Sequence, residues 1–549
     1  MKNGFRQSMA WLHTWTGLLV GWLLLLIFMA GTASYYRDEI SRWMRPELPR
    51  SSVATDVAAV RAITFLQHKA PQAESWNVTL PDPRNPAMRM FWRNPESMVK
   101  PPVEGEKRRR GGGRFGDATV DPASGEEVAA RETRGGDFFY RLHFDLHYIP
   151  VLWARYLVGF CAMFMLVAII TGVITHKKIF KDFFTFRPEK GLRSWLDFHN
   201  VSAVMALPYH AMITYTGIVT LMFMYLPQGV SMAYPKDEDA FFSEAFARLA
   251  DPAEPAEGRT ASLPIQQLLD SARAEWNGAQ VSGFTVFRPG AANAVIDIYQ
   301  RDGKRLSIDT PSLRYNAVSG ALTGTSPVPG GATHTRGVMY GLHLARFADW
   351  GLRALFFLSG LVGCLMVASG VVLWAVKERP KHARSGRTGF GLRLVDALNI
   401  GAVAGLPIAF AAYFWGNRLL PVELAERSDA EASVFFYAWG AALLAAFIWP
   451  KRLMWAWQLY LGAALFALIP MLNALTTHVH LGVTLRNGDW ALAGFDLVML
   501  AFGAVLAYCG LRMQRWQPAL SAAEKKRQAA AAAVTAATAA AATTAEASA

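Results

Sequence analysis

The sequence predicts a mainly α-helical, polytopic membrane protein with about eight transmembrane helices, a duplicated helix-loop-helix unit and two α+β domains outside the membrane. The chain has 549 residues, of which 52% are hydrophobic. A helix of about 20 apolar residues crosses a hydrocarbon core of about 30 Å. Eight apolar runs meet or approach that length, at residues 11–36, 151–175, 197–226, 345–376, 396–416, 433–449, 455–475 and 490–511.

An internal repeat indicates the duplicated unit. His13 lies in the first run and Gly31 follows it by 18 residues; His199 lies in the third run and Gly217 follows it by the same 18. Matching positions in two sets of helices are typical of membrane proteins built from structural repeats. The first and third runs are therefore predicted to be equivalent helices.

The second and fourth runs match as well. A Leu-His pair that ends at His143 precedes the second run, and one that ends at His343 precedes the fourth. An arginine and a glycine follow in each copy, at spacings that differ by two residues between the copies. They are Arg155 and Gly172 in the first copy and Arg353 and Gly370 in the second.

The charges of the loops predict the orientation. Lysine and arginine are concentrated before the first run, after the eighth, and in every second loop between them. Cytoplasmic loops carry this excess in membrane proteins, so both termini are predicted to be cytoplasmic and two large loops to lie outside. The net charge of +13 then reflects the orientation in a lipid bilayer and does not indicate nucleic-acid binding.

These boundaries divide the chain into ten segments. The C-terminal bundle among them shows no repeat comparable with the first four helices, and the tail is of low complexity. The segments are a first transmembrane helix (1–36), an outside domain (37–142), a second helix (143–176), a cytoplasmic link (177–196), a third helix (197–226), a second outside domain (227–340), a fourth helix (341–377), a second link (378–395), a bundle of about four helices (396–511) and the tail (512–549).

Each outside domain has the pattern of a helix packed on a small antiparallel sheet. Helical spacing comes first in each, followed by alternating runs typical of strands and by a similar turn. The basic stretch 106–114 is predicted to be an exposed loop. The other predicted elements are a helix at 55–67, strands at 76–80 and 88–92 and a turn at 121–126 in the first domain, and a helix at 265–276, strands at 284–287 and 294–299 and a turn at 316–324 in the second.

Four histidines occupy the ends of the repeated helices, and we interpret them as axial ligands of two haems of the b type. Ionisable side chains in a bilayer are costly and indicate function, and a neutral imidazole nitrogen binds haem iron directly. A pseudo-twofold axis along the membrane normal would bring His13 opposite His199 near the cytoplasmic face. The same axis would bring His143 opposite His343 near the outer face. Iron held by two imidazoles has no free position, which favours electron transfer over oxygen chemistry.

Two further histidines are alternative ligands. His147 follows His143 by four residues, which places both on one face of a continuous helix. His210 lies about 16 Å deeper than His199 and within about 20° of the same face. Arg155 and Arg353 are candidate partners of haem propionates near the outer face.

Two alternatives to haem remain for these histidines: hydrogen bonds between helices, and a site for another transition metal. The second is weakened because the histidines are not grouped with acidic or cysteine side chains. The compact clusters are His143-x-Asp145-x-His147 and His478-x-His480. The sequence contains no P-loop, no dinucleotide-binding glycine motif, no nucleophile elbow and no zinc-protease motif.

Several stretches resemble the PepSY-associated transmembrane proteins, often called iron-regulated membrane proteins. They are His-Thr-Trp-Thr-Gly at 13–17, the two Leu-His pairs, Ser-Trp-Leu-Asp-Phe-His-Asn at 194–200 and Phe-Leu-Ser-Gly-Leu at 357–361. The resemblance covers about residues 1–380 and does not extend to 396–511. It implies an inner-membrane protein of Gram-negative bacteria with two PepSY-like periplasmic domains. Some members of that family are haem-containing ferric-siderophore reductases, and the family's helix-end histidines correspond to His13, His143, His199 and His343.

The leading hypothesis is therefore an inner-membrane two-haem electron conduit, a haem-dependent ferric-siderophore reductase. An unknown cytoplasmic donor or a quinol would supply the electrons, and the resemblance implies that ferric siderophore is the periplasmic acceptor. One alternative is a non-enzymatic protein whose PepSY-like domains bind or regulate a periplasmic partner. The other is a transporter that moves iron or siderophore through the C-terminal helices.

Overall fold

The computed structural model describes residues 4–50, 53–98, 114–176, 186–188, 190–246, 249, 252, 256–301, 303, 305–384 and 389–515. The predicted basic loop up to residue 113, residues 177–185 of the first link and the tail beyond 515 lie outside the described residues. The described residues form a helical bundle with a β-sheet domain at one end. We call that end of the bundle the sheet side and the other end the opposite side.

The helices fall into three groups along the chain. The first repeat contains α1 (Phe5–Ser34), α2 (Arg37–Trp43), α3 (Thr55–Lys69), α4 (Asp137–Asp145) and α5 (Val151–Thr175). The second contains α6 (Leu192–Met205), α7 (Leu207–Thr220), α8 (Met222–Tyr225), α9 (Gln228–Ala233), α10 (Glu238–Ala245), α11 (Ile265–Glu275), α12 (Gly331–Leu344) and α13 (Trp350–Arg384). The C-terminal group contains α14 (Phe390–Asn399), a π-helical turn (Ile400–Ala404), α15 (Gly405–Leu419), α16 (Arg427–Ile448), α17 (Arg452–Thr476), α18 (Leu481–Arg486) and α19 (Trp490–Arg515).

Seven helices in the described part of the chain are long and apolar enough to cross a membrane, so the chain is a multi-pass membrane protein. Each contains most of one predicted apolar run. They are Phe5–Ser34, Val151–Thr175, Trp350–His382, Phe390–Leu419, Arg427–Ile448, Arg452–Thr476 and Trp490–Arg515.

The third predicted span, 197–226, is not one continuous helix. It is divided into α6 and α7, which meet at Ala206. Proline has no backbone N–H, and its ring clashes with the carbonyl four residues earlier. Pro208 therefore ends α6 and lies in the first turn of α7. Of the eight expected spans, seven are continuous helices and this one is broken.

The two large loops build one sheet, whereas the sequence predicted two separate domains. Its strand order is β3-β2-β1-β4-β5-β6-β7, with every neighbouring pair antiparallel. The strands are β1 (Ser75–Thr79), β2 (Met88–Arg93) and β3 (Phe115–Val120) from the first loop and β4 (Val281–Phe287), β5 (Val295–Gln300), β6 (Ser312–Asn316) and β7 (Leu322–Thr325) from the second.

The junction between the halves is the β1–β4 pair, in which Asn77 lies opposite Thr285. A half-sheet alone would leave the backbone groups of its edge strand unpaired. Pairing the two edges satisfies those groups. Antiparallel pairing of equivalent strands is also the result expected from a twofold axis between the repeats, so the sheet supports that predicted symmetry.

The predicted elements of each half are present. The helices at 55–67 and 265–276 correspond to α3 and α11, and both pack on one face of the sheet around buried Leu66 and Leu269. The predicted turns also match, because Asp121 Oδ1 accepts from the N–H of Ala123 and Asn316 Oδ1 accepts from that of Val318.

Ion pairs join the sheet domain to the bundle. Arg84, from the β1–β2 connection, lies 2.9 Å from Asp38 and 2.7 Å from Glu39 on α2. Burial opposes the positive charge of Arg84, but the hydrogen bonds and negative charges of these partners outweigh burial and raise its pKa. Glu39 also lies 3.6 Å from Arg353 on α13. The carboxylate of Glu39 therefore links the sheet domain to a spanning helix.

The C-terminal helices pack beside the first repeat. Trp22 Nε1 on α1 donates to Asn399 Oδ1 (2.8 Å), and Trp43 Nε1 on α2 donates to Asp496 Oδ1 (2.9 Å). On α4, Phe139 stacks on Phe410 with ring centroids 4.7 Å apart. The extra bundle therefore supports α4, the helix that carries His143.

Candidate functional site

The structure brings the four helix-end histidines together in the two predicted pairs. The ring centroids of His13 on α1 and His199 on α6 are 6.2 Å apart, with an angle of 65° between the rings. The centroids of His143 on α4 and His343 on α12 are 5.9 Å apart, with an angle of 36°. The first pair lies towards the opposite side of the bundle and the second towards the sheet side.

The spacing of both pairs fits two imidazoles that bind one metal ion from opposite sides. An imidazole nitrogen lies about 2.0 Å from a bound first-row metal ion and about 1.1 Å from its own ring centroid. Two axial imidazoles therefore have centroids about 6.2 Å apart. Both observed distances lie within a few tenths of an ångström of that value.

Hydrogen bonds at Nδ1 orient all four rings. Backbone carbonyls accept but do not donate, so these bonds place the proton on Nδ1 and leave a lone pair on Nε2. No hydrogen bond from a described residue reaches the four Nε2 atoms. The Nδ1 bonds run from His13 to Ala168 O (2.8 Å), from His143 to Ile27 O (2.7 Å), from His199 to Met366 O (3.0 Å) and from His343 to Thr216 Oγ1 (3.1 Å).

This arrangement is the one that metal-binding histidines use. A histidine that coordinates a metal commonly donates its second ring N–H to a carbonyl or carboxylate, which fixes the tautomer and makes the coordinating nitrogen more basic. Thr216 suits the same role because its hydroxyl donates to Met212 O (2.7 Å) and so accepts from His343. The chemistry of the four rings fits haem iron.

A glycine lies against each of the four imidazoles. The repeat had marked these glycines as equivalent positions, and the structure gives the reason. A Cβ atom would lie 2.7 Å from His143 Cε1 at Gly31, 3.2 Å from His13 Cε1 at Gly172, 3.0 Å from His343 Cε1 at Gly217 and 3.2 Å from His199 Cε1 at Gly370. A side chain at Gly31 would force the ring of His143 to shift, and one at the other three positions would crowd its ring by a few tenths of an ångström. The spacing of histidine and glycine therefore corresponds to close packing of each ring on a neighbouring helix.

Replacing Gly31 by alanine is expected to weaken the binding of any haem that the sheet-side pair holds. The new Cβ would overlap the ring of His143, and overpacking of this kind costs about 1–3 kcal/mol, or about tenfold or more in affinity. Alanine favours the helix by about 1 kcal/mol over glycine, so a loss would not come from a weaker α1. Haem per chain in the purified variant measures the effect.

Gly440→Ala is the matched control, because Gly440 also lies inside a spanning helix, α16, is exposed, lies outside the cavity lining, and a Cβ there meets nothing within 4 Å. We expect this control to keep the haem content of the unchanged protein. Equal haem content in the two variants would contradict the steric role of Gly31.

A cavity adjoins the first pair. It has a volume of about 380 Å³ and is lined mainly by apolar side chains and glycines of α1, α5, α6 and α13, together with His13, His199 and His210. Cofactor sites are commonly apolar cavities of about 300–1,000 Å³ with a few convergent polar groups. Lys377 and His176 line its end on the opposite side.

His210, an alternative ligand in the sequence, lies in this cavity on α7, just after the break at Ala206. Its side chain is fully buried, and neither ring nitrogen has a hydrogen-bond partner of good geometry. Its ring centroid lies 6.4 Å from that of Phe28. No other histidine faces it, so it does not complete a third pair among the described residues.

His143 and His343 lie on short helices that precede the spanning ones. The predicted boundaries at 143 and 341 placed them at the start of spans, but the spans begin at Val151 and Trp350. Each short helix ends at a residue with left-handed backbone, Leu146 (φ 51°) and Ala345 (φ 50°). The turn at these residues separates the short helix that carries the histidine from the span.

The same turn shows that the helical face predicted for His147 was wrong, whereas its role as an alternative ligand stays a prediction. Because α4 ends at Asp145, and Leu146 and His147 both have positive φ, His147 does not share a helical face with His143. Its ring stacks on Phe436 of α16, with centroids 5.4 Å apart. His147 belongs to the contact between the first repeat and the C-terminal bundle.

The two candidate propionate partners are bound to carboxylates. Arg155 Nε donates to Asp145 Oδ1 (2.9 Å), and Arg353 lies 3.6 Å from Glu39 and donates to Ala348 O (2.7 Å). Asp145, the acidic residue of the cluster His143-x-Asp145-x-His147, is therefore paired with Arg155. Their role towards propionates stays a prediction.

Sequence reasoning missed the hydroxyls next to the histidines. Thr216 and Ser369 lie 3.1 Å from Nδ1 of His343 and His199, and Thr171 lies 3.4 Å from that of His13. The signal was present, since each of these residues immediately precedes one of the repeated glycines. Among the described residues, no group of three or more histidine, cysteine, aspartate or glutamate side chains could hold a further metal ion.

Comparison with known proteins gives two findings. Residues 10–377 match the family model described as the PepSY-associated TM region. The chain is also similar to an uncharacterized protein of Pseudomonas aeruginosa, with 28% identity over 382 residues that cover 67% of this chain and 92% of the relative. The matched family region contains all four paired histidines and ends before α14.

Proposed function

The chain belongs to the PepSY-associated transmembrane family, and on this premise we propose that it is a two-haem electron conduit that reduces an acceptor on the sheet side of the membrane. The observation that carries the proposal is the pair of imidazole sites, with centroids 6.2 and 5.9 Å apart. Haem bound at each pair would supply one-electron chemistry at a position without a free coordination site.

The chain's own contribution is to hold the imidazoles ready. The Nδ1 hydrogen bonds of the four histidines fix their tautomers and raise the basicity of Nε2. The facing glycines let the helices approach each ring closely. The apolar lining of the cavity at the first pair excludes water, and burial and hydrogen bonding around such sites set their redox potential.

The position of the two pairs supports transfer across the bilayer. His13 and Ile27, whose carbonyl binds His143, are 14 residues apart on α1, which corresponds to about 21 Å along the helix. His210 lines the cavity of the first pair, and its ring centroid is 6.4 Å from that of Phe28, the residue next to Ile27. Their rings shorten the stretch of aliphatic side chains between the sites. Coordination by His210 itself remains the alternative.

We further propose that ferric siderophore is the acceptor and that the sheet side faces the periplasm of a bacterial inner membrane. The basic loops of the opposite side support this orientation. Ferrous iron is held less tightly than ferric iron by hard oxygen ligands, so one-electron reduction releases the metal. The electron donor would act from the opposite side, where the cavity ends near Lys377, and it is either a cytoplasmic reductase or a quinol.

A reduced-minus-oxidised absorbance spectrum of the detergent-purified protein, with haem quantified per chain, tests the proposal. We expect sharp bands of the b type and about two haems per chain. Dithionite-reduced protein should then transfer its electrons to a ferric siderophore in stopped flow. Protein from cells supplied with ample haem precursor that shows no haem band would contradict the conduit and favour partner binding by the sheet domain.

A further inference from the structure

The second repeat holds an arginine without a counter-ion close to the sheet-side histidine pair. Arg336 lies on α12 seven residues before His343, so the two side chains project from nearly the same face, about 10 Å apart along the helix. The guanidinium carbon lies 4.2 Å from the ring centroid of Tyr340, 4.6 Å from that of Phe246 and 5.5 Å from that of Phe223. Three aromatic faces therefore fix the position of this cation.

The guanidinium of Arg336 forms no hydrogen bond or ion pair with any described residue, and its Nε is buried without a partner. Acidic side chains on neighbouring segments are bound elsewhere. Tyr234 donates its hydroxyl to Glu244 Oε2 (2.5 Å), and Ser307 donates its hydroxyl to Asp309 Oδ2 (2.5 Å). The aromatic rings thus hold the positive charge of Arg336 in place, and no carboxylate of the described residues forms an ion pair with it.

The equivalent place in the first repeat is neutralised. Arg37 lies over the ring of Tyr140, the equivalent of Tyr340, with its guanidinium carbon 4.7 Å from the centroid. Arg37 also forms an ion pair with Asp137. The residue equivalent to Asp137 in the second repeat is Gly337. Both repeats therefore hold an arginine on the same tyrosine, but among the described residues only the first arginine forms an ion pair. In the second repeat the carboxylate of Asp309 lies beside Gly337 and accepts from Ser307, without an ion pair to Arg336.

We propose that Arg336, with the rings of Phe223, Phe246 and Tyr340, is a binding site for the carboxylate of a ligand. The planar fork of an arginine matches both oxygens of a carboxylate, and the aromatic faces hold the fork rigid before the ligand arrives. The proposed function limits the sources of that carboxylate to two. One is a propionate of the haem at the His143–His343 pair, and the other is a free, carboxylate-bearing iron chelate that accepts the electron.

Arg336→Gln in the full-length, detergent-purified protein tests the site, with Arg346→Gln as the matched control. Arg346 follows the same helix, is exposed and has no ion pair among the described residues. Ferric citrate is the probe for a free chelate, because its ligands are carboxylates. Haem per chain, the midpoint potential of each haem and the KM and kcat for reduction of ferric citrate are measured in all three proteins.

The two sources give different results. If the carboxylate is a propionate, Arg336→Gln loses haem from the sheet-side pair or moves its midpoint to more negative potential, because a positive charge beside the haem is lost. If the carboxylate belongs to a free chelate, the spectrum and midpoints stay unchanged and KM rises about tenfold with kcat retained. Arg336→Lys, which keeps the charge but not the fork, replaces the glutamine variant if that variant does not fold.

An Arg336→Gln protein that matches Arg346→Gln in haem content, midpoints and KM would overturn the site. A haem-free unmodified protein would contradict the proposed function instead. In that haem-free protein, calorimetric titration measures the affinity of the site for citrate. Citrate binding that is lost in Arg336→Gln would support the site, and no binding to the unmodified protein would overturn it.

Discussion

His343→Ala is expected to bind about one haem per chain, whereas the proposed conduit requires the unchanged protein to bind about two. The ring of His343 faces His143 at a centroid distance of 5.9 Å, and its removal leaves one axial ligand at that pair. The second pair, His13 and His199, lies about 21 Å away along α1 and keeps its own Nδ1 hydrogen bonds. The retained haem should therefore show the bands of bis-imidazole iron, as measured by the reduced spectrum and by haem per chain.

His334→Ala is the matched control for this experiment. His334 lies on the same helix, α12, but it is exposed and faces no other histidine among the described residues. We expect it to bind two haems. The complementary variant His13→Ala should lose the other haem, and the double variant His13→Ala/His343→Ala should lose both.

Variants of the two alternative ligands, His210 and His147, test whether the paired histidines are the ones that bind haem. His210→Phe keeps an aromatic ring against Phe28 and should retain both haems, because His210 faces no second histidine among the described residues. His147→Phe should also retain both, since His147 packs on Phe436. Loss of a haem in either variant, with full occupancy in His343→Ala, would contradict the assigned pairs.

The pairing of the histidines was predictable from sequence because two copies of one segment are expected to fold with the same packing geometry. Equal distances of 18 residues from His13 to Gly31 and from His199 to Gly217 indicate two copies of one packing arrangement. A twofold axis between two such copies places equivalent side chains opposite each other. The sequence showed that the glycines are repeated, but it did not show what they contact. Each one packs on a histidine of a different segment, which only the structure reveals.

Other features depended on contacts that a linear pattern does not contain. The alternation of β1 and β4 predicted strands, but nothing in either run specified that Asn77 would lie opposite Thr285 of the other loop. The face assigned to His147 assumed an uninterrupted helix, and the left-handed turn at Leu146 occurs without a glycine. By contrast, the break in the third span has a local cause, Pro208, and could have been predicted from the sequence.

Arg427→Met is expected to destabilise the protein by about 3–5 kcal/mol, the usual effect of removing one partner of a buried ion pair. Arg427 pairs with Glu431 one turn later on α16, and both side chains are 0% exposed. The pair is also fully hydrogen-bonded. Arg427 donates to Asn417 O (2.6 Å) and Glu132 O (2.9 Å), and Glu431 accepts from Asn417 Nδ2 (2.7 Å) and Thr133 Oγ1 (2.5 Å). Methionine would leave the carboxylate of Glu431 buried without its counter-ion.

Arg134→Met provides the control. Arg134 pairs with Asp429, which lies on α16 like Arg427, but the side chains of Arg134 and Asp429 are 34% and 57% exposed. An exposed ion pair contributes about 0–1 kcal/mol to stability. Unfolding of the three proteins in detergent, followed by heat or by denaturant, measures the difference. Equal stability of Arg427→Met and Arg134→Met would show that the buried pair has no special weight.

The double variant Arg427→Met/Glu431→Leu distinguishes the charge from the packing. Replacing both members of a buried ion pair by apolar residues is often neutral or stabilising, so the double variant should recover most of the stability lost in Arg427→Met.

The segment that this pair holds, Glu132 and Thr133, leads directly into α4 and His143. On heating, Arg427→Met should therefore release the haem of the sheet-side pair at a lower temperature than the haem of the His13–His199 pair, because among the described residues no hydrogen bond or ion pair joins α1 or α6 to Arg427 or Glu431. Simultaneous release of both haems would instead indicate that the C-terminal bundle and the two repeats unfold as one unit.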